Sequence, residues 1–109
     1  MSDTAVVVSI GRDRTGGDGR TYPIGTAEWR TFRDEIYVTV SRFTPGDRPY
    51  FDGVGNGWSP EWGSEDTYTV IAAAPELEAW DNLKAELHRI ADHYGQEAVA
   101  VTVGATIFV

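Results

Sequence analysis

Between Leu77 and Tyr94 the apolar side chains fall at helical intervals, with Leu77, Trp80, Leu83, Leu87, Ile90, Ala91 and Tyr94 on one continuous stripe. Pro75 suits the first helical position, Glu76, Glu78 and Asp81 sit at the positive end of the helix dipole, and Gly95 supplies the stop. A helix with one apolar stripe must bury it against another layer. The neighbouring segments change period from 3.6 to two, so that layer is a sheet.

Ala5 to Ile10 is rich in β-branched residues and reads as a strand that stops at Gly11. Gly11 to Gly25 carries Gly, Pro and charged side chains without a period and reads as an exposed loop. Thr26 is placed as an N-cap, and Trp29, Phe32, Arg33 and Ile36 follow at helical spacing, which predicts a short helix. From Tyr37 to Phe43 the alternation of Val38 and Val40 with Tyr37, Thr39, Ser41 and Phe43 predicts a second strand. Thr67 to Ala73 is read as the third strand and Ala98 to Val109 as the fourth.

The expected order is β-α-β-β-α-β in one domain over residues 1–109. This is the split βαβ order of ferredoxin-like α+β domains: two helices on one face of a mainly antiparallel four-stranded sheet, with a long insertion between the second and third strands. The second face of the last strand, Ala100, Thr102, Gly104, Thr106 and Phe108, carries no charge. Such a face predicts burial against another subunit or beneath a loop, and the first of these gives a homodimer through the sheet.

A chain of 109 residues with 41% hydrophobic and 24% charged residues suits one globular core. The absence of cysteine excludes disulfides, thiol nucleophiles and thiolate metal sites and suits a reducing cytoplasm. The start Met1-Ser2-Asp3-Thr4 lacks the features of a signal peptide, and no apolar run approaches the roughly 20 residues needed to span a bilayer. Of the formal net charge of −8, none arises in residues 1–50, where seven Arg balance seven acids; residues 51–109 hold two basic groups against ten acids. That surface repels phosphate and anionic lipid, so neither nucleic acid nor membrane is an expected partner.

The connection from Thr44 to Asp66 is long enough to be functional or structured in its own right. Tyr50, Phe51, Trp58 and Trp62 supply large apolar surface, and Asp52, Glu61, Glu65 and Asp66 supply an acidic rim. One reading makes the aromatics anchors for a basic protein partner. The other folds the loop as an extra hairpin whose aromatics cover the open sheet face. Gly53-Val54-Gly55-Asn56-Gly57 lacks the Lys of a phosphate loop and is read as a turn. His88 and His93, five apart, point to different sides of their helix and do not form a chelating pair. No Ser has a nucleophile signature around it. No metal or cofactor is expected, and nothing in the sequence supports catalysis.

Gly11-Arg12, Glu28-Trp29 with Phe32, Asp52-Gly53, Gly57-Trp58 and Tyr94-Gly95-Gln96-Glu97-Ala98-Val99 together resemble a family of small uncharacterised bacterial proteins and proteins of similar length from actinobacterial phages. The family's Phe-Pro-Asp-Gly-like turn is replaced here by Phe43-Thr44-Pro45-Gly46-Asp47. The resemblance implies a ferredoxin-like scaffold without an assigned activity, and it assigns no residue a role. The sequence thus leads to a non-enzymatic binding or assembly module, phage-encoded and acting on a host protein in the host cytoplasm. The alternative is a small-molecule binder or enzyme with a cleft between the sheet and the 44–66 segment.

Overall fold

The computed structural model describes residues 4–60 and 63–107. It consists of β1 (Thr4–Gly11), β2 (Asp13–Thr15), β3 (Thr21–Pro23), α1 (Thr26–Phe43), β4 (Phe51–Ser59), β5 (Gly63–Ala73), α2 (Trp80–His93) and β6 (Ala100–Ala105), with 3-10 turns at Pro45–Asp47 and Leu77–Ala79. Four strands form one sheet in the order β4-β5-β1-β6, every neighbouring pair antiparallel. β2 and β3 form a separate small hairpin. Two helices on an antiparallel four-stranded sheet is the α+β architecture expected from the sequence.

Alternation along β1 divides the sheet into two faces. Val6, Val8 and Ile10 are buried, as are Tyr68, Val70 and Ala72 of β5. They share one core with Trp29, Phe32, Ile36 and Val40 of α1 and with Leu83, Leu87, Ile90 and Tyr94. Phe32 stacks on Tyr94 at 4.4 Å and 13°. The other face is built from small and β-branched residues, among them Ala5, Val7, Ser9, Thr67, Thr69, Ala100 and Thr102. Ser9 and Thr69 join hydroxyls across two strands at 2.9 Å.

The expected strand at Tyr37–Phe43 is instead the second half of α1. Its buried residues, Trp29, Phe32, Ile36, Thr39 and Val40, keep one helical stripe, and that packing outweighs the poor helix propensity of Val38, Thr39 and Val40. The second strand of the sheet is β4, drawn from the segment read as a loop, so no long insertion separates it from β5. Gly53 to Gly57 is likewise strand, not turn. β5 begins at Gly63, four residues before Thr67.

Smaller corrections follow the same logic. Thr26 opens α1 from inside, Gly25 being the cap, and Trp29 N–H donates to Gly25 O at 2.8 Å. α2 begins at Trp80 rather than Pro75, behind the 3-10 turn, and Leu77 is left exposed. β6 spans only Ala100–Ala105, so Ala98, Val99, Thr106 and Ile107, expected in the strand, fall outside it, and Phe108 and Val109 lie outside the described residues. The Gly11–Gly25 segment is not a featureless loop, because the β2–β3 hairpin occupies it. No helix among the described residues is long and apolar enough to cross a membrane.

Candidate functional site

The termination of α2 places the first wall of a cleft. Gly95 takes φ +74°, its N–H donates to Asp92 O at 3.1 Å, and Gln96 N–H reaches back to Ala91 O at 2.9 Å, a Schellman end. That turn aims Gln96 at the β2–β3 hairpin, where its Nε2 donates to Asp13 O at 2.9 Å. The Gly95–Ala98 segment is thereby strapped beside the open face of the sheet.

Arg12 fixes the second wall. Its Nε donates to Ile24 O at 2.7 Å, its Nη1 pairs with Asp66 at 3.2 Å, and its backbone N–H donates to Asp66 O at 2.9 Å. One guanidinium thus ties the hairpin and the entry to α1 onto β5. The third wall is the end of the β4–β5 hairpin, where Gly57 pairs with Glu65 and Trp58 with Ser64.

These walls enclose a cleft of about 710 Å³ floored by Ser9, Gly11, Thr67 and Ala100. Asp13, Glu65, Glu97 and Arg14 line it, and Trp58, which is 73% exposed, stands at its hairpin end. Arg14 is engaged by Glu28 at 3.1 Å. The carboxylates therefore dominate the local field. Glu65 lies across Gly11, where a Cβ would collide with its carboxyl group, and its Oε2 accepts the Asp13 N–H at 2.9 Å. Carboxylates around a cleft suit a ligand that carries positive charge or hydrogen-bond donors.

The structure draws together only part of the site expected from the sequence. Trp58 and Glu65 line the cleft. Tyr50 and Phe51 are exposed at the far end of β4, roughly 20 Å from Trp58 at strand spacing. Asp52 accepts from the Tyr68 hydroxyl at 2.8 Å, and Asp66 is held by Arg12. Glu61 and Trp62 lie outside the described residues. Sequence reasoning missed Asp13, Arg14, Gln96 and Glu97. The Gly95 stop was a legible signal for the strap, but its bond to Asp13 spans 83 positions and has no local signature. Among the described residues no three His, Asp or Glu side chains are grouped to hold a metal ion.

Neither a protein-family model nor a curated protein sequence matches the chain. Its fold is similar to that of a phage SAM lyase in the apo state, with a TM-score of 0.61 and 15% identity over 94% of this chain and 79% of that one. For the phage SAM lyase in complex with S-methyl-5′-thioadenosine, the TM-score is 0.54 at 16% identity, covering 96% and 83%. A DUF3240 family protein from Shewanella baltica gives a TM-score of 0.46 at 16% identity, covering 100% and 94%.

Proposed function

We propose that the chain is a phage-encoded small-molecule-binding protein whose ligand enters the open-face cleft, and that the ligand belongs to the S-adenosyl sulfonium class. The observation that carries this reading is the convergence of Asp13, Glu65 and Glu97 on one cleft of about 710 Å³, with Trp58 at the hairpin end that bounds it. That volume suits a drug-sized ligand. An adenine ring offers a flat face to an indole, and a sulfonium is a cation that aromatic faces and carboxylates attract. The shared fold of a phage SAM lyase, one structure of which holds S-methyl-5′-thioadenosine, supports the same ligand class.

The test is calorimetry with S-adenosylmethionine and with the neutral S-methyl-5′-thioadenosine, followed by chromatography of the incubated mixture. The charged ligand is expected to bind about ten-fold or more tightly than the neutral one, and Glu65→Gln to narrow that gap. Trp58→Ala is expected to weaken both. Cleaved product would add an activity to the binding role. Absence of heat with both ligands would remove the reading.

A second reading, association of copies through the sheet, is favoured by one row of the open face. Phe51, 59% exposed, pairs with Ile71, which pairs with Val7, which pairs with Thr102. Phe51→Lys should then lower the mass measured by light scattering. An unchanged mass would count against it.

A further inference from the structure

We propose that β6 is a pairing edge for a second copy of this chain, which adds its own β6 antiparallel and joins the two four-stranded sheets edge to edge. The inference concerns the rim of the sheet and stands without any reading of the cleft. Among the described residues β6 pairs on one side only, with β1, and no backbone hydrogen bond joins Ala100–Ala105 to another element. Its outer row of N–H and C=O groups is therefore open to a further strand.

Folded proteins blunt such an edge with lysine, proline, a bulge or a covering segment. β6 uses none of these devices. Ala100-Val101-Thr102-Val103-Gly104-Ala105 carries no charge and no proline, its register with β1 advances without a bulge, and every residue except Val101 is exposed. The other edge, β4, is guarded: Asp52 sets a charge on it, and Gly53, Gly55 and Gly57 weaken it as a pairing strand.

The sequence of β6 fits a copy of itself. In an antiparallel pair centred on Thr102, the two Thr102 side chains meet on the open face, and Val101 lies opposite Val103 of the partner subunit on the helix-covered face. Threonine opposite threonine and valine opposite valine are both favourable cross-strand pairs, and Val103, 51% exposed in the single chain, loses contact with water. A two-fold axis sets the residue on it against its own copy. In a chain of net charge −8 that contact is free of repulsion only where no charge lies, as in β6. Ile107, 81% exposed two residues past the strand, adds apolar surface beside the seam. Six paired residues make an interface smaller than the roughly 1,200 Å² of stable complexes, so the dimer is weak and reversible.

The chain has no cysteine, so single-cysteine variants report the pairing without background. Residues directly opposite in an antiparallel ladder hold their Cα atoms about 4.5 to 5.5 Å apart, within disulfide range. Around a Thr102 axis the two Val103 positions are diagonal neighbours about 8 Å apart, beyond that range. Light scattering of the unmodified chain is expected to rise toward twice the single-chain mass, with a Kd on the order of 100 µM. At about 1 mM and under mild oxidation, Thr102→Cys is expected to cross-link about five-fold or more above Val103→Cys and above Phe51→Cys on the open face. Thr102→Lys should hold the single-chain mass at every concentration, because like charges would meet on the axis. The proposal is overturned by a single-chain mass for the unmodified protein up to about 1 mM, or by Thr102→Cys cross-linking no more than Val103→Cys. It is equally overturned if Phe51→Cys cross-links as readily, since the copies would then meet through the sheet face.

Discussion

Glu65 folds over Gly11 and takes the backbone N–H of Asp13, so the carboxylate that faces the cleft also fastens the first residue of the β2–β3 hairpin to the sheet. Gly11 permits this by lacking a side chain, since a Cβ would overlap the Glu65 carboxyl group. The obstructing atoms are the end of a flexible side chain, and Gly11 has no left-handed backbone angle, so an alanine is accommodated by turning Glu65 away.

Gly11→Ala is therefore expected to cost about 1 kcal/mol, the worth of one hydrogen bond. In a Glu65→Ala background the same change should cost almost nothing. Urea unfolding of the four members of this double-mutant cycle reads the coupling directly. Equal losses in both backgrounds would mean that the two residues are not linked.

Arg12→Lys is expected to destabilise by roughly 2 kcal/mol, because an ammonium cannot reproduce a planar fork that reaches the Ile24 carbonyl and Asp66 together. Amide hydrogen exchange should rise in β2 and β3 more than in α2. A lysine variant as stable as the parent, with hairpin exchange unchanged, would show that the guanidinium is not what holds the hairpin.

How far the fold can be read from the sequence is clearest at residues 37–43. Val38-Thr39-Val40 is a β-branched run, and its alternation mimics a strand as well as a helix over so short a stretch. Only the continuation of the Trp29, Phe32 and Ile36 stripe into Val40 distinguishes the two, and it takes the α2 face for that stripe to be satisfied. Once those residues are helical, the partner of β5 must come from Phe51–Ser59, whose glycines hide its strand character. By contrast, α2 and β1 are legible because period, caps and β-branching agree there. The cleft was half legible: Trp58 and Glu65 stand out by type, while Asp13 and Gln96 meet only through the tertiary fold.

Val38→Ala separates the two readings of that stretch. Val38 is 55% exposed on α1, so replacing a β-branched residue by alanine should raise stability by about 0.5 kcal/mol. On a strand the same substitution would lower it. Thermal or urea unfolding gives the sign, and a loss would argue against helix at this position.

Alkaline stability should be governed by the core tyrosines. Burial, with the Glu35 carboxylate adding to it, pushes the Tyr94 hydroxyl up from 10.0 to about 12. Burial, with Asp52 accepting its proton, raises Tyr68 still further. In the unfolded chain both lose a proton near pH 10, so above that pH the unfolded state holds fewer protons than the folded one, and stability falls as pH rises. The Tyr94 contribution is complete below pH 10 and is lost on the way to about 12, at a slope of up to about 1.4 kcal/mol per pH unit. Tyr94→Phe keeps the stack on Phe32 and removes the titrating group, so its unfolding free energy should decline less steeply than the parent's from about pH 10 upward. Parallel declines in the two proteins would mean that Tyr94 ionises as freely folded as unfolded.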